Sequence, residues 1–237
     1  MMRRTLQQLA IVFLLVFSMS AAAESLTQKL LRIAGLTVAP GQLRGPGDAV
    51  ESGDIWIAST GGAPRTELTS GGGYRSPIFS PGGESIYALK DDTLARIPTS
   101  GGAVTPVRDA AGVVKLVGFD GSNASALIVL LDSSVAPLGI LFLEGGAIRP
   151  LPYDGKVKDE QILLAQIRGE TRVYGDASLY VRTESKQGIS RTIEWAEVYL
   201  RRGNLPVVNI SACDGVNCAQ PALSPEGRRV VFVKAYE

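Results

Sequence analysis

The sequence predicts an all-β fold built from repeated four-stranded antiparallel units. Three observations carry this. Two kinds of strand–turn–strand segment alternate strictly along most of the chain. The 237 residues include 27 Gly and 13 Pro, and the short runs between them are rich in Val, Ile, Leu and Tyr, as many short strands joined by turns require. Finally, "PIFSPGGESIYALK", Pro77 to Lys90, returns near the chain end as "PALSPEGRRVVFVK", Pro221 to Lys234.

Before the repeats lie two segments of another kind. Residues 1–23 combine a basic start, "MMRRTLQQ", a short apolar run, "LAIVFLLVFSMS", and the small residues Ala21 to Ala23. That order is the signature of a cleaved export signal, with Glu24 as the mature N-terminus. The apolar run is shorter than the ~20 residues that span a bilayer. An uncleaved anchor is the alternative. Residues 24–52 form a lead-in, in which Leu26, Leu30, Leu31 and Ile33 share one face of a short predicted helix that Gly35 ends, followed by loop. The repeats then occupy 53–237.

The first repeat class is a strand, a Gly-rich turn and a second strand. It stands as "DIWIASTGGAPRTEL", "TLARIPTSGGAVTPV", "GILFLEGGAIRPLP" and "AEVYLRRGNLPVVNI", with turn glycines Gly62, Gly102, Gly146 and Gly203. The second class has a strand, a polar turn and a strongly apolar strand: "PIFSPGGESIYAL", "LVGFDGSNASALIVLL", "TRVYGDASLYVRT" and "PALSPEGRRVVFV". Phe79, Phe119, Tyr174 and Leu223 precede its turns. An inner pair of the second class followed by an outer pair of the first makes a meander of about 40–45 residues, the size of a propeller blade. Four blades are counted. The series begins with an outer pair and ends with an inner pair, so the two ends together supply the remaining blade. N-terminal outer strands are therefore expected to pair with C-terminal inner strands, removing two exposed sheet edges. An extra segment at 155–169 interrupts the third repeat and fits either a helix or an added edge strand.

"PIFSPGGESIYAL" and "PALSPEGRRVVFV", with "DIWIASTGGAPRTELT" as the other half, resemble the repeat of TolB-like β-propellers. The resemblance covers about 53–236 and is strongest in the first and last units. In the middle units Gly121 replaces the turn Pro, and the turn at "GDAS" is shorter. The resemblance implies an envelope propeller, although the short lead-in cannot supply TolB's N-terminal α/β domain and TolB-like propellers usually have six blades. Pro and Gly build the tight turn, so Ser80, Pro81 and Gly82 read as fold signals.

Little in the sequence points to catalysis. The chain has no His, no G-x-S-x-G elbow, no P-loop and no dinucleotide fingerprint, which removes a Ser-His-Asp triad and the common nucleotide sites. Asp91–Asp92 and Glu194/Glu197 are carboxylate pairs able to serve as acid and base if they converge. "DGSN" at Asp120 and "DGVN" at Asp214 read as turns, too short to be calcium sites. The adjacent pairs Arg201–Arg202 and Arg228–Arg229 should point to opposite faces of their strands. Trp56 and Trp195 read as packing residues. Cys213 and Cys218, in "ACDGVNC", read as a disulfide in an exported chain, with free thiols or a metal site as alternatives. Of 24 basic residues two, Arg3 and Arg4, leave with the signal; against 23 acidic residues the mature charge is about −1. No electrostatic footprint for nucleic acid is present.

The sequence thus predicts a periplasmic or secreted, non-catalytic propeller that binds an envelope protein or a small ligand. No catalytic residue, cofactor or metal is expected, no nucleic-acid partner, and no membrane span after signal cleavage. A carboxylate-dependent hydrolase or lyase, and a partial propeller completed by oligomerisation, are the alternatives.

Overall fold

The structure, a computed structural model, describes residues 52–120, 123–132, 138–151, 172–174 and 176–235. The predicted export signal, the lead-in helix and the segment 155–169 lie outside the described residues. The described residues form sixteen strands and no helix. All pairings are antiparallel.

Every predicted hairpin is found. The outer pairs are β1 (Gly53–Ser59) with β2 (Arg65–Glu67), β5 (Thr93–Pro98) with β6 (Thr105–Asp109), β9 (Leu138–Phe142) with β10 (Arg149–Pro150), and β13 (Thr192–Arg202) with β14 (Val208–Asn209). The inner pairs are β3 (Tyr74–Phe79) with β4 (Ser85–Lys90), β7 (Val113–Asp120) with β8 (Asn123–Leu131), β11 (Arg172–Tyr174) with β12 (Ala177–Gln187), and β15 (Cys218–Leu223) with β16 (Arg229–Ala235). The turn glycines of the outer class, Gly62, Gly102, Gly146 and Gly203, all have positive φ, which explains their recurrence.

The strands assemble into four four-stranded runs. Two are separate sheets, β7–β8–β9–β10 and β11–β12–β13–β14. The others, β15–β16–β1–β2 and β3–β4–β5–β6, are joined into one eight-stranded sheet by the single pairing of Gly53 with Tyr74. The first of these unites the first and last described strands: β1 pairs with β16 from Gly53–Ala235 to Ser59–Arg229. Gly53 is needed there, because a Cβ would overlap the Lys234 carbonyl oxygen.

The central strands read as continuous apolar runs because both of their faces are covered. On β16, Val231 and Val233 join a cluster with Ile55, Phe79 and Ile86, while Val230 and Phe232 join another with Leu179, Val198 and Ile210. On β4, Ile86 and Ala88 face the first cluster, and Tyr87 and Leu89 face a third with Leu116, Leu127 and Leu141. Successive side chains thus fill the layers between successive four-stranded runs. Burying an aliphatic side chain of this kind contributes roughly 1.5–3 kcal/mol. The fourth strands β2, β6 and β10 are short and largely exposed, so the outer rim offers little edge for further pairing.

Candidate functional site

The four inner hairpin turns come together around one cavity of about 750 Å³. Phe79, Phe119, Tyr174 and Leu223, the residues preceding those turns, all line it. Inner strands pack on inner strands, β3 against β7 and β15, and β15 against β11. Their ends are thereby brought to one place.

The two "SP" turns are built alike. Ser80 N–H donates to the Ser85 carbonyl (2.8 Å), Gly83 N–H donates to the Ser80 carbonyl (2.9 Å), and Ser80 Oγ accepts from Ser85 N–H (3.1 Å). Ser224 repeats this, with its Oγ accepting from Arg228 and Arg229 N–H. Both serines are buried. The residue that must be glycine is the fourth of each turn: Gly83 and Gly227 have φ of 78° and 70°. Gly82 is matched by Glu226, so it is not part of the common requirement. These turns serve the fold as expected, yet Ser80, Pro81, Ser224 and Pro225 also form the cavity wall.

Arginines lock the turns to one another. Arg229 donates from Nε to Glu226 (2.7 Å) and from Nη2 to the Gly83 carbonyl (2.8 Å), with its guanidinium 5.7 Å from the Phe79 ring centroid. Burial opposes ionisation of Glu226, but hydrogen bonds from Arg229, from its own backbone and from Ser224, together with the Arg229 charge, outweigh it and hold the carboxyl below its usual range. Arg202 donates to the Gly227 carbonyl (2.7 Å), tying the β13 end to the β15–β16 turn. Arg202 lines the cavity with Asp120, Asp176 and Glu226, whereas Arg201 and Arg228 are exposed. The expected split fits Arg201 and Arg202, both on β13, whereas Arg228 lies in the turn before β16, so strand alternation does not apply to the second pair.

The other sequence candidates lie elsewhere. Asp91 and Asp92 form the exposed β4–β5 turn, Asp91 with φ of 50°. Glu194 is exposed, while Glu197 is 2% exposed and fully engaged. Glu197 accepts from Trp195 Nε1 (2.7 Å), Cys213 N–H (2.8 Å), Asp214 N–H (3.1 Å) and Ser211 Oγ. Neither carboxylate pair converges in the cavity. Glu197 is instead the anchor of a loop closed by a disulfide between Cys213 and Cys218, with Cα atoms 6.4 Å apart. Asp214 has φ of 48° in that loop, consistent with a turn. Asp120 ends β7 and Asn123 opens β8, with Asn123 Oδ1 accepting from Ser125 N–H. Trp56 packs against the cluster around Val198 and carries Lys234 Nζ 4.9 Å from its ring centroid. Among the described residues, no group of three or more Cys, Asp or Glu is placed to hold a metal ion.

No family model and no curated protein matches the chain. A solved structure from Agrobacterium tumefaciens, provisionally described as TolB, is similar over 75% of this chain and 59% of that one, at 13% identity and a TM-score of 0.34. The disulfide is compatible with an exported protein.

Proposed function

We propose that this chain is a four-bladed β-propeller of the bacterial cell envelope, exported to the periplasm or secreted, that binds a protein segment or small ligand without catalysis. The observation that carries the reading is the convergence of all four inner turns on one cavity of about 750 Å³, within the range of ligand sites. The pairing of β1 with β16 supports a ring closed by the chain ends, and the alternation of inner and outer hairpins supports four blades. Among the cavity carboxylates, Glu226 does not favour acid–base chemistry. Glu226 is neutralised by Arg229 and held ionised, unlike a general acid tuned toward neutral pH.

Backbone amide NMR of the full chain, titrated with a mixed set of short peptides and small polar compounds, tests the reading. Shifts confined to Phe79, Phe119, Asp176 and Gly227 would support it. Shifts only at other surfaces, or conversion of a compound, would contradict it.

A further inference from the structure

We propose that the ligand of the cavity brings an uncharged carbonyl oxygen, of the kind an amide carries, to the side chain of Arg202; this deepens the reading of the cavity as the binding site and rests on it. Arg202 ends β13 and is the one cation among the lining residues. Its Nη2 donates to the Gly227 carbonyl (2.7 Å), which fixes one corner of the guanidinium on the β15–β16 turn. Its Nε is buried and has no hydrogen-bond partner, alone in this among the side-chain nitrogens and oxygens of the described residues. Folded proteins rarely leave such a donor unpaired, because it has lost its water and gained nothing in exchange. Arginine donates and never accepts, so the missing partner is an acceptor.

The wall itself does not supply one. Glu226 is taken by Arg229, and Asp120 has a partner of its own. Ser80 Oγ accepts from Ser85 N–H, and Ser224 Oγ from Arg228 and Arg229 N–H. Asp176 is exposed, where water solvates it. The rest of the wall decides the class of acceptor. Its carboxylates outnumber its cation, so an anionic ligand would meet repulsion. A carbonyl oxygen accepts a charge-assisted hydrogen bond from a guanidinium without bringing charge of its own. Phe79, Phe119, Tyr174 and Leu223 cover the carbons on either side of such a group. Nε is shut off from bulk water, whereas Arg202 as a whole is only partly buried. A turn of the guanidinium about its bond to Gly227 therefore brings Nε to the cavity without opening the core.

An uncharged carbonyl can arrive on a small amide or on the main chain of a protein segment. Arginine Nε–H groups give their own nitrogen–proton resonances, so the donor can be watched directly. The test titrates the full chain with N-methylacetamide, with acetate, and with a leucine–glycine–leucine tripeptide blocked at both ends. The tripeptide should move the Arg202 Nε–H resonance together with the backbone amides of Phe79 and Phe119, and added salt should leave its affinity unchanged. Arg202→Lys keeps the charge and a donor for Gly227 but lacks Nε, and should weaken binding about tenfold. If that variant does not fold, the Nε–H shift of the wild type decides alone. Saturation by N-methylacetamide marks a small amide as the source; saturation by the tripeptide alone marks a protein segment. Acetate moving the Nε–H resonance as strongly as the tripeptide would overturn the uncharged acceptor. Lining amides that move without the Nε–H, or an Arg202→Lys variant that binds as well as wild type, would overturn the role of Arg202 while leaving the cavity as a site. If no probe moves a lining amide, both the acceptor and the cavity reading fail.

Discussion

Replacing Glu197 with Ala should destabilise the protein by about 3 kcal/mol. Glu197 is 2% exposed and receives four donors. Cys213 N–H and Ser211 Oγ are buried, so water cannot replace the lost acceptor; each unpaired buried donor costs about 1–3 kcal/mol. Trp195 Nε1 and Asp214 N–H are nearer solvent and can hydrate. Relief of the carboxylate's own desolvation offsets part of the loss. The net of about 3 kcal/mol corresponds to a fall in Tm of roughly 6–12 °C for a domain of this size. Glu197→Gln keeps the volume but turns an amide N–H₂ toward N–H donors, and should cost about half as much. Glu194→Ala, on the exposed side, should stay within about 0.5 kcal/mol of wild type. Urea denaturation of the three variants with the disulfide intact measures these values. A Glu197→Ala variant as stable as Glu194→Ala would refute the claim that this carboxylate anchors the loop.

Three further outcomes are expected. Gly53→Ala should cost more than about 2 kcal/mol by urea denaturation, because the new Cβ would meet the Lys234 carbonyl of the partner strand. Reducing Cys213–Cys218 should lower stability by about 2 kcal/mol, the loop-closure value for so short a loop, and alkylation of the denatured, unreduced protein should label neither cysteine. Burial, and then the hydrogen bond to the Glu184 carboxylate and its charge, push the Tyr199 phenol up to about 12. Its contribution to stability is therefore complete below the unfolded value near 10 and is lost as pH rises from 10 to about 12. An ultraviolet titration should show one late-ionising tyrosine that Tyr199→Phe removes.

The fold was legible because its periodicity is written in local chemistry. Each outer turn needs positive φ, so Gly62, Gly102, Gly146 and Gly203 mark it directly. Strands covered on both faces, such as Val230 to Val233, cannot hide as surface. The pairing of β1 with β16 followed from counting hairpins, since an odd outer pair at the start of the repeats and an odd inner pair at their end have only each other. The cavity was legible only in part. Phe79, Phe119, Tyr174 and Leu223 were recognisable as equivalent, but their meeting depends on how inner strands pack across sheets, which no single repeat encodes. Ser80 and Pro81 looked purely structural because the turn explains them completely. Glu197 was misleading in another way: with Glu194 it reads as a carboxylate pair for acid–base work, but Glu194 is exposed and Glu197 is buried on the backbone donors of the Cys213–Cys218 loop.

The proposed ring rests on the pairing of the first and last described strands in one four-stranded run. Native-state hydrogen exchange of β1 and β16 tests it most directly. An unpaired strand near a chain terminus frays and exchanges far below the global unfolding free energy. The pairing of Gly53–Ser59 with Arg229–Ala235 predicts that the protected amides of both strands exchange together, through the same opening as Ile86 in the same sheet and Leu127 in a separate one. Rapid exchange of β1 alone, with β16 still protected, would contradict the proposed closure through β1 and β16.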